Sequence, residues 1–164
     1  MSAIRRIARS VWLGSTGRRE VVGEVKEDPA VADDGLVAFA LIGVAVSGLV
    51  TLDPWIALAA LLGAPLAALT AAFVLRLVAR IARHPVTFAQ TTATVTLTSL
   101  PLLLIPIPII GAPIGLTVWL LAGIFMLQRL TLARLDVAAV ILLLSHALTV
   151  GTLIAAGFAV QALA

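Results

Sequence analysis

Long apolar stretches constrain this sequence more than any other feature. Five of them run over about 36–52, 55–77, 86–105, 114–127 and 137–160, and most are bounded by charged residues or proline. A helix needs about 20 apolar residues to cross the ~30 Å hydrocarbon core of a bilayer. Since 62% of the 164 residues are hydrophobic and only 12% are charged, polar side chains are too few to cover a water-soluble protein. We therefore predict an all-α, polytopic membrane helix bundle with five transmembrane helices.

The cationic residues all fall on one side of the predicted membrane. The eleven Lys and Arg lie in residues 1–35, about 76–85 and about 128–136, and none lies in the intervening outer turns or the C-terminal tail. Cytoplasmic loops of membrane proteins carry an excess of Lys and Arg. This pattern predicts a multi-pass membrane protein with the N-terminus in the cytoplasm and the C-terminus on the opposite side. We expect no nucleic-acid binding, because no basic surface adjoins aromatic stacking groups.

Residues 1–35 form the only substantial polar segment, and we predict that they are a cytoplasmic region preceding a five-helix transmembrane domain over 36–164. Apolar residues recur there at helical spacing, whereas arginines occupy other positions of the helical wheel. This indicates a short amphipathic helix at an anionic membrane surface. Its candidate membrane-surface contacts are Arg5, Arg6, Arg9 and Trp12. A second short polar helix is predicted over about 18–27 and is closed by Pro29.

Prolines divide into two groups. Pro106, Pro108 and Pro113 are expected in the outer turn between the third and fourth spans. Pro101 and Pro65 fall inside spans, where each removes a helical hydrogen bond, so we expect both helices to be kinked. In the third span this frees the carbonyl of Leu97, for which a neighbouring helix or a Ser or Thr hydroxyl must supply a new partner.

Hydroxyl groups follow the third span on two sides. One stripe contains Thr87, Thr91, Thr94 and Thr98, and the other contains Thr92, Thr96 and Ser99, so we expect other helices rather than lipid around this segment. His146 is the only ionisable residue deep within a predicted span, which makes it a functional hypothesis. The candidate polar intramembrane site is therefore Thr91, Thr94, Thr98, His146 and Thr149.

Two interpretations of these polar groups stay open. The first is structural: the hydroxyls make interhelical hydrogen bonds, and a neutral His146 bonds to a hydroxyl or a freed carbonyl. The second is functional: the same groups line a polar groove for a lipid headgroup or a small solute. A buried, water-accessible cavity lined by the third span and His146 would favour the second interpretation, and a dry, closed bundle would favour the first.

Small residues predict the faces on which helices pack. Gly43 and Ser47 are four apart in the first span, and alanines repeat at intervals of four in the second, at Ala60, Ala64, Ala68 and Ala72. Such rows let helix backbones approach closely. We expect packing within the chain, with self-association as the alternative. Trp55 and Trp119 are expected near the outer membrane interface.

Motifs for catalysis and cofactor binding are missing from the sequence. There is no cysteine, no HExxH, no GxSxG and no phosphate-binding glycine loop with lysine. We therefore predict no catalytic residues, no metal site and no cofactor, and a protein that is not an enzyme.

The order of segments resembles bacterial members of the Yip1 family. The amphipathic start IRRIARSVW leads through EVKEDP into the first span, and it is followed by RIARHPVTFAQ, a proline-rich bend and the last span RLDVAAVILLLSHALTVGTLI. The resemblance implies a five-helix membrane domain with a cytoplasmic N-terminus. Eukaryotic relatives are linked to vesicle traffic and bind Rab-type GTPases, but their DLYGP-like segment is absent here. For bacterial members, the resemblance implies this fold and a location in the bacterial inner (cytoplasmic) membrane, with no established chemistry.

These observations favour a non-enzymatic inner-membrane protein that acts as a scaffold, assembly or membrane-organising factor. The alternative is a small transporter or lipid-handling protein that uses the threonine-rich third span and His146. The expected partners are the lipid bilayer and other membrane proteins or further copies of the chain, while the sequence identifies no small-molecule substrate.

Overall fold

The computed structural model describes residues 3–16 and 18–163, which are mostly helical, with no β-strand among them. One 3₁₀ helix covers Leu100–Leu104. The α-helices are α1 (Ala3–Ser15), α2 (Arg19–Glu27), α3 (Ala30–Thr51), α4 (Pro54–Ile81), α5 (Phe88–Thr96), α6 (Gly111–Thr131) and α7 (Leu135–Leu163).

Four of these helices are long and apolar enough to cross a membrane: α3, α4, α6 and, over residues 135–156, α7. They correspond to the first, second, fourth and fifth predicted spans. The first span begins six residues earlier than predicted, at Ala30, so the predicted boundary between residues 35 and 36 lies inside α3. The fourth span is also longer than predicted, because Pro113 lies in the first turn of α6, where proline is tolerated, rather than in the preceding turn.

The third predicted span, over about 86–105, is broken rather than kinked at Pro101 as expected. This segment forms the nine-residue α5, a turn at 97–99 and the 3₁₀ helix. A capping box begins α5: Thr87 Oγ1 accepts a hydrogen bond from the backbone N–H of Gln90, whose side chain accepts one from the N–H of Thr87. The α-helix ends before Pro101, which disfavours α-helical conformation at Leu100 and offers no N–H to the carbonyl of Leu97.

Two clusters of buried residues form the core, and α5 contributes to both. The first joins α1 and α2 to α3, α5 and α6, and it includes Val11, Val21, Ala38, Leu97 and Met126. The second joins α4, α5, α6 and α7, and it includes Leu75, Val95, Leu127 and Leu142. The N-terminal helices are therefore packed against the helices that follow them, and α5 is enclosed between the two clusters.

Small residues bring α3 and α4 together, as predicted. A methyl group added at Gly43 would lie 2.6 Å from Cβ of Ala64, and Ala68 and Ala72 are almost fully buried. Asp53 begins α4 by accepting a hydrogen bond from the backbone N–H of Trp55 at 2.8 Å. The prediction of close packing within the chain is confirmed at Gly43, and self-association stays a prediction.

Candidate functional site: the threonine helix and His146

The threonine-bearing segment is buried on every side. All residues from Thr91 to Ser99 are buried, which includes every member of the two predicted hydroxyl stripes except the exposed Thr87. The prediction that helices rather than lipid surround this segment is therefore confirmed. Its position between the two core clusters explains why: α3 and α4 cover one side of α5, and α6 covers another.

The threonine hydroxyls bond within their own helix. Thr91 Oγ1 donates to the carbonyl of Phe88 at 2.9 Å, Thr94 donates to Gln90 at 2.8 Å, and Thr98 donates to Thr94 at 2.8 Å. Thr92 and Thr96 on the other stripe donate in the same way. The expectation of interhelical bonds is wrong for these five hydroxyls, because a carbonyl three or four residues earlier satisfies each donor without a partner helix.

His146 is held by the preceding turn of α7. Its Nδ1 lies 2.9 Å from the carbonyl oxygen of Leu142, so Nδ1 carries the proton in this arrangement and Nε2 is the acceptor. Nε2 is buried and has no hydrogen-bond partner among the described residues. The ring also packs edge-on against Trp119, with 4.9 Å between ring centroids. The partner carbonyl is thus an ordinary one of the same helix, rather than the freed carbonyl or hydroxyl that was expected.

Three of the five predicted site residues come together. Thr94, Thr98 and His146 line one gap between α5, α6 and α7, and this gap has no room for a water molecule. Thr91 and Thr149 are buried but do not line it. Thr149 instead donates to the carbonyl of Ser145 on its own helix at 2.8 Å. The site is therefore a tightly packed contact between helices.

Trp119 completes this contact, and the sequence prediction missed its role. Its indole N–H donates to the carbonyl of Val95 at 3.2 Å, so Trp119 packs against α5 inside the bundle, while its expected position near the outer interface stays a prediction. In the sequence, Gly123 was the residue that could have indicated this contact, because it lies one turn later on the same face of the fourth span. A methyl group there would lie 3.0 Å from the Leu142 side chain, and this close approach brings α6 and α7 together beside His146. Trp55, by contrast, is exposed at the start of α4.

The carbonyl freed by Pro101 has the kind of partner that was predicted. Ser15 Oγ, at the end of α1, donates to the carbonyl oxygen of Leu97 at 3.1 Å and accepts from the N–H of Leu100 at 3.2 Å. Gly14 permits this approach, because a methyl group at Gly14 would lie 2.6 Å from the same carbonyl oxygen. The prediction of a hydroxyl partner for Leu97 is confirmed.

The predicted membrane-surface residues of α1 fall into two pairs. Arg6 makes a bidentate ion pair with Asp34 of α3, with Nε–Oδ2 and Nη2–Oδ1 distances of 2.6 and 2.8 Å, and Arg9 contacts Glu24 of α2 at 2.6 Å. The hydrogen bond and charge of Asp34 raise the pKa of the Arg6 guanidinium above its ordinary value. Arg5 and Trp12 are exposed. All four side chains are therefore accessible, and Arg6 and Arg9 also pair with carboxylates of α3 and α2.

Comparisons with known proteins return no match: no family model, curated protein or solved structure is similar to this chain. Across residues 3–16 and 18–163, no group of three or more His, Cys, Asp or Glu side chains is placed to hold a metal ion. The site can therefore be interpreted only from its own geometry. A threonine-rich helix, a tryptophan and a histidine pack together there without room for water.

Proposed function

We propose that this chain is a non-enzymatic, five-pass inner-membrane protein of Yip1-like type that scaffolds or organises other membrane components. One observation carries the proposal: the gap beside Thr94, Thr98 and His146 is too small for water. A transport path for a polar solute needs space at this depth, whereas a structural bundle needs tight packing. Three of the five predicted site residues, Thr94, Thr98 and His146, pack at the contact between α5, α6 and α7.

Contacts along α6 support a fifth membrane pass made by α5 and the 3₁₀ helix. Val95 lies against Trp119, and a methyl group at Gly115 would lie 2.7 Å from the carbonyl oxygen of Pro101. The first residue of α6, Gly111, packs against Leu104. The broken segment thus runs antiparallel to α6, a helix of 21 residues that is about 31 Å long. Broken backbone at membrane depth is tolerated where protein encloses it, as it does α5.

Five passes combine with the charge distribution to give an orientation. The turn after α4 and the turn after α6 carry Arg83 and Arg134, whereas the turns after α3 and before α6 carry no Lys or Arg. With the cationic side in the cytoplasm, the N-terminus is cytoplasmic and the C-terminus lies on the opposite side. We place α1 at the same boundary, because Ile4, Ala8 and Trp12 form an exposed apolar stripe at intervals of four beside the exposed Arg5.

Single cysteines test this topology, because the native chain contains none. Leu52, Arg83, Ile109 and Leu132 are exposed residues in four successive turns. With an impermeant thiol reagent, Arg83→Cys and Leu132→Cys should be labelled only from the cytoplasmic side, and Leu52→Cys and Ile109→Cys only from the other. Labelling of Arg83→Cys and Ile109→Cys from the same side would exclude the third pass.

One observation favours the alternative of a transporter: Nε2 of His146 is a buried acceptor without a partner. Proton flux into liposomes and protein co-purification separate the two functions. A scaffold should give the same flux as empty liposomes, both for the wild-type chain and for His146→Leu, and should retain the same crosslinked membrane proteins in both forms. Proton flux that His146→Leu abolishes, in a chain that still folds, would overturn the scaffold proposal in favour of transport.

A further inference from the structure

A pocket lies between α2 and the end of α6, away from the threonine helix. Its volume is about 580 Å³, which is within the size range of small-molecule sites. From α2 its walls include Arg19 and Val22, and from α6 they include Phe125, Gln128 and Arg129. The pocket is open to the outside and sits where the apolar part of α6 gives way to its cationic end.

The electrostatics of this pocket suit an anion. Two guanidinium groups line it, and no aspartate or glutamate is among the lining residues. Arg129 Nη1 is buried and has no hydrogen-bond partner among the described residues. A buried donor on a charged group is costly to leave unsatisfied, and the lining residues supply no carboxylate to Arg129.

Arg129 has no carboxylate partner among the described residues, unlike three other arginines of the chain. Arg6, Arg9 and Arg134 each contact a carboxylate within 4 Å, at Asp34, Glu24 and Asp136. A cation in the last turn of a helix is favoured by the helix dipole, but that interaction does not require one guanidinium nitrogen to be buried. The pocket therefore places the guanidinium of Arg129 where an external oxyanion could receive its hydrogen bonds.

The shape of the pocket points to the source of the oxyanion. Phe125 lies one turn from Arg129 toward the apolar part of α6, and its side chain is exposed. Gln128 adds an amide beside the two guanidinium groups. A guanidinium binds phosphate through two parallel hydrogen bonds, and an adjacent apolar wall suits the beginning of an acyl chain. A phospholipid offers both groups in this order at the edge of a membrane.

We propose that this pocket binds the phosphate of an anionic phospholipid, with Arg129 as the main ligand, Arg19 as the second cation and Phe125 against the acyl chain. The site is independent of the scaffold proposal, and it requires only that the arginine-bearing end of α6 lies at a membrane surface. Bound lipid would fix α2 against α6 and so couple the N-terminal helices to the leaflet around them.

Lipid binding by the purified full-length protein in detergent tests the site. Native mass spectrometry with added phosphatidylglycerol should show one retained lipid, while phosphatidylcholine should bind about tenfold more weakly. Arg129→Gln should weaken phosphatidylglycerol binding about tenfold, and Arg19→Gln should weaken it several-fold. Arg80→Gln is the matched control, since Arg80 is exposed at the end of α4, does not line the pocket and carries the same charge.

Each outcome is decisive. If Arg129→Gln and Arg80→Gln lose phosphatidylglycerol binding equally, the total charge of the protein explains the effect and the proposed site is overturned. If inorganic phosphate displaces the lipid and protects the protein from heat equally well, the lipid source is excluded in favour of a soluble anion. If Arg129→Gln fails to fold, Arg19→Gln decides, because Arg19 is exposed on α2; unchanged lipid binding by that variant would contradict the proposal.

Discussion

A single hydroxyl joins the N-terminal helix to the broken segment. Ser15 satisfies both the carbonyl of Leu97 and the N–H of Leu100, two backbone groups left open where α5 ends. The position of Pro101 predicts the open carbonyl, because proline removes a fixed hydrogen bond. The identity of its partner could not be predicted, because Ser15 is 82 residues away in the chain and their proximity depends on the tertiary packing of α1.

Ser15→Ala should lower the free energy of unfolding by about 1–3 kcal/mol, because it leaves a buried backbone acceptor without its donor. Thr16→Ala is the matched control: its hydroxyl makes only exposed or partly buried bonds to α1, so we expect a change below about 0.5 kcal/mol. Thermal unfolding of both variants in the same detergent measures the difference. Equal stability of the two variants would show that Ser15 does not hold the break.

Arg6→Gln should also destabilise the fold, because it leaves the carboxylate of Asp34, which is 6% exposed, without its bidentate partner. Arg5→Gln, next to it and exposed, should have little effect. The double variant Arg6→Gln/Asp34→Asn should lose less stability than the two single variants summed. Additive losses in denaturation experiments would show that the pair contributes no coupling.

The pKa of Arg6 gives this ion pair a defined pH dependence. Asp34 raises the pKa in the folded state, so the contribution of Arg6 is fully present below its unfolded pKa and is lost only as pH rises through the folded value. Both values lie above the range in which proteins are handled. Titration of Arg6 should therefore cause no change in unfolding temperature between about pH 6 and about pH 9, and the difference between wild type and Arg6→Gln should stay constant there.

At the scale of elements, hydrophobic periodicity and length predicted four of the long helices but not the break in the third span. Leucines and threonines continue through residues 86–105, so the pattern gives no change of period at Leu97. Two local signals were present: Thr87 and Gln90 form the capping box, and Pro101 marks the end of the α-helix. These two signals produce a complete break only because Ser15 and α6, which lie outside the segment, stabilise its non-helical backbone.

The turns between helices are strained in a way that a substitution can relieve. Leu132 closes α6 with φ of 56°, a left-handed conformation that suits glycine better than leucine. Leu132→Gly should raise the free energy of unfolding by about 1 kcal/mol, because Leu132 is highly exposed and contributes little packing. Leu132 also lines the pocket between α2 and α6. Leu121→Gly, at an exposed position inside α6, should lower it by a similar amount. Calorimetry would contradict the strain argument if both variants were destabilised.

At the scale of the whole molecule, the N-terminal helices belong to the packing of the bundle. Composition predicted a polar segment separate from the membrane domain, because most of the charged residues lie in residues 1–35. The core cannot be read from charge: Val11, Leu13, Val21 and Val25 are buried together with Leu97 and Met126. Helical periodicity indicated an apolar face on α1, but it could not distinguish a face that contacts lipid from one that contacts protein.

A chain that begins at Ala30 should therefore be unstable, even though it keeps all the apolar spans. It would expose Leu97 and Met126, remove the partner of Asp34 and open the carbonyl that Ser15 satisfies. Fluorescence-detected size-exclusion chromatography in detergent should show loss of the single monodisperse peak. A truncated chain that elutes and melts like the full-length protein would show that the N-terminal helices are an independent appendage.

The enclosure of α5 has a consequence for the order of events during biosynthesis. A segment with hydroxyls on both sides and no lipid-facing side gains little from partitioning alone out of the translocon into the bilayer. Its neighbours α3, α4 and α6 supply that environment, and α6 emerges from the ribosome after it. We therefore expect α5 to insert stably only after α6 has been synthesised, so that a chain released from the ribosome and ending before Gly111 would leave α5 accessible to proteases.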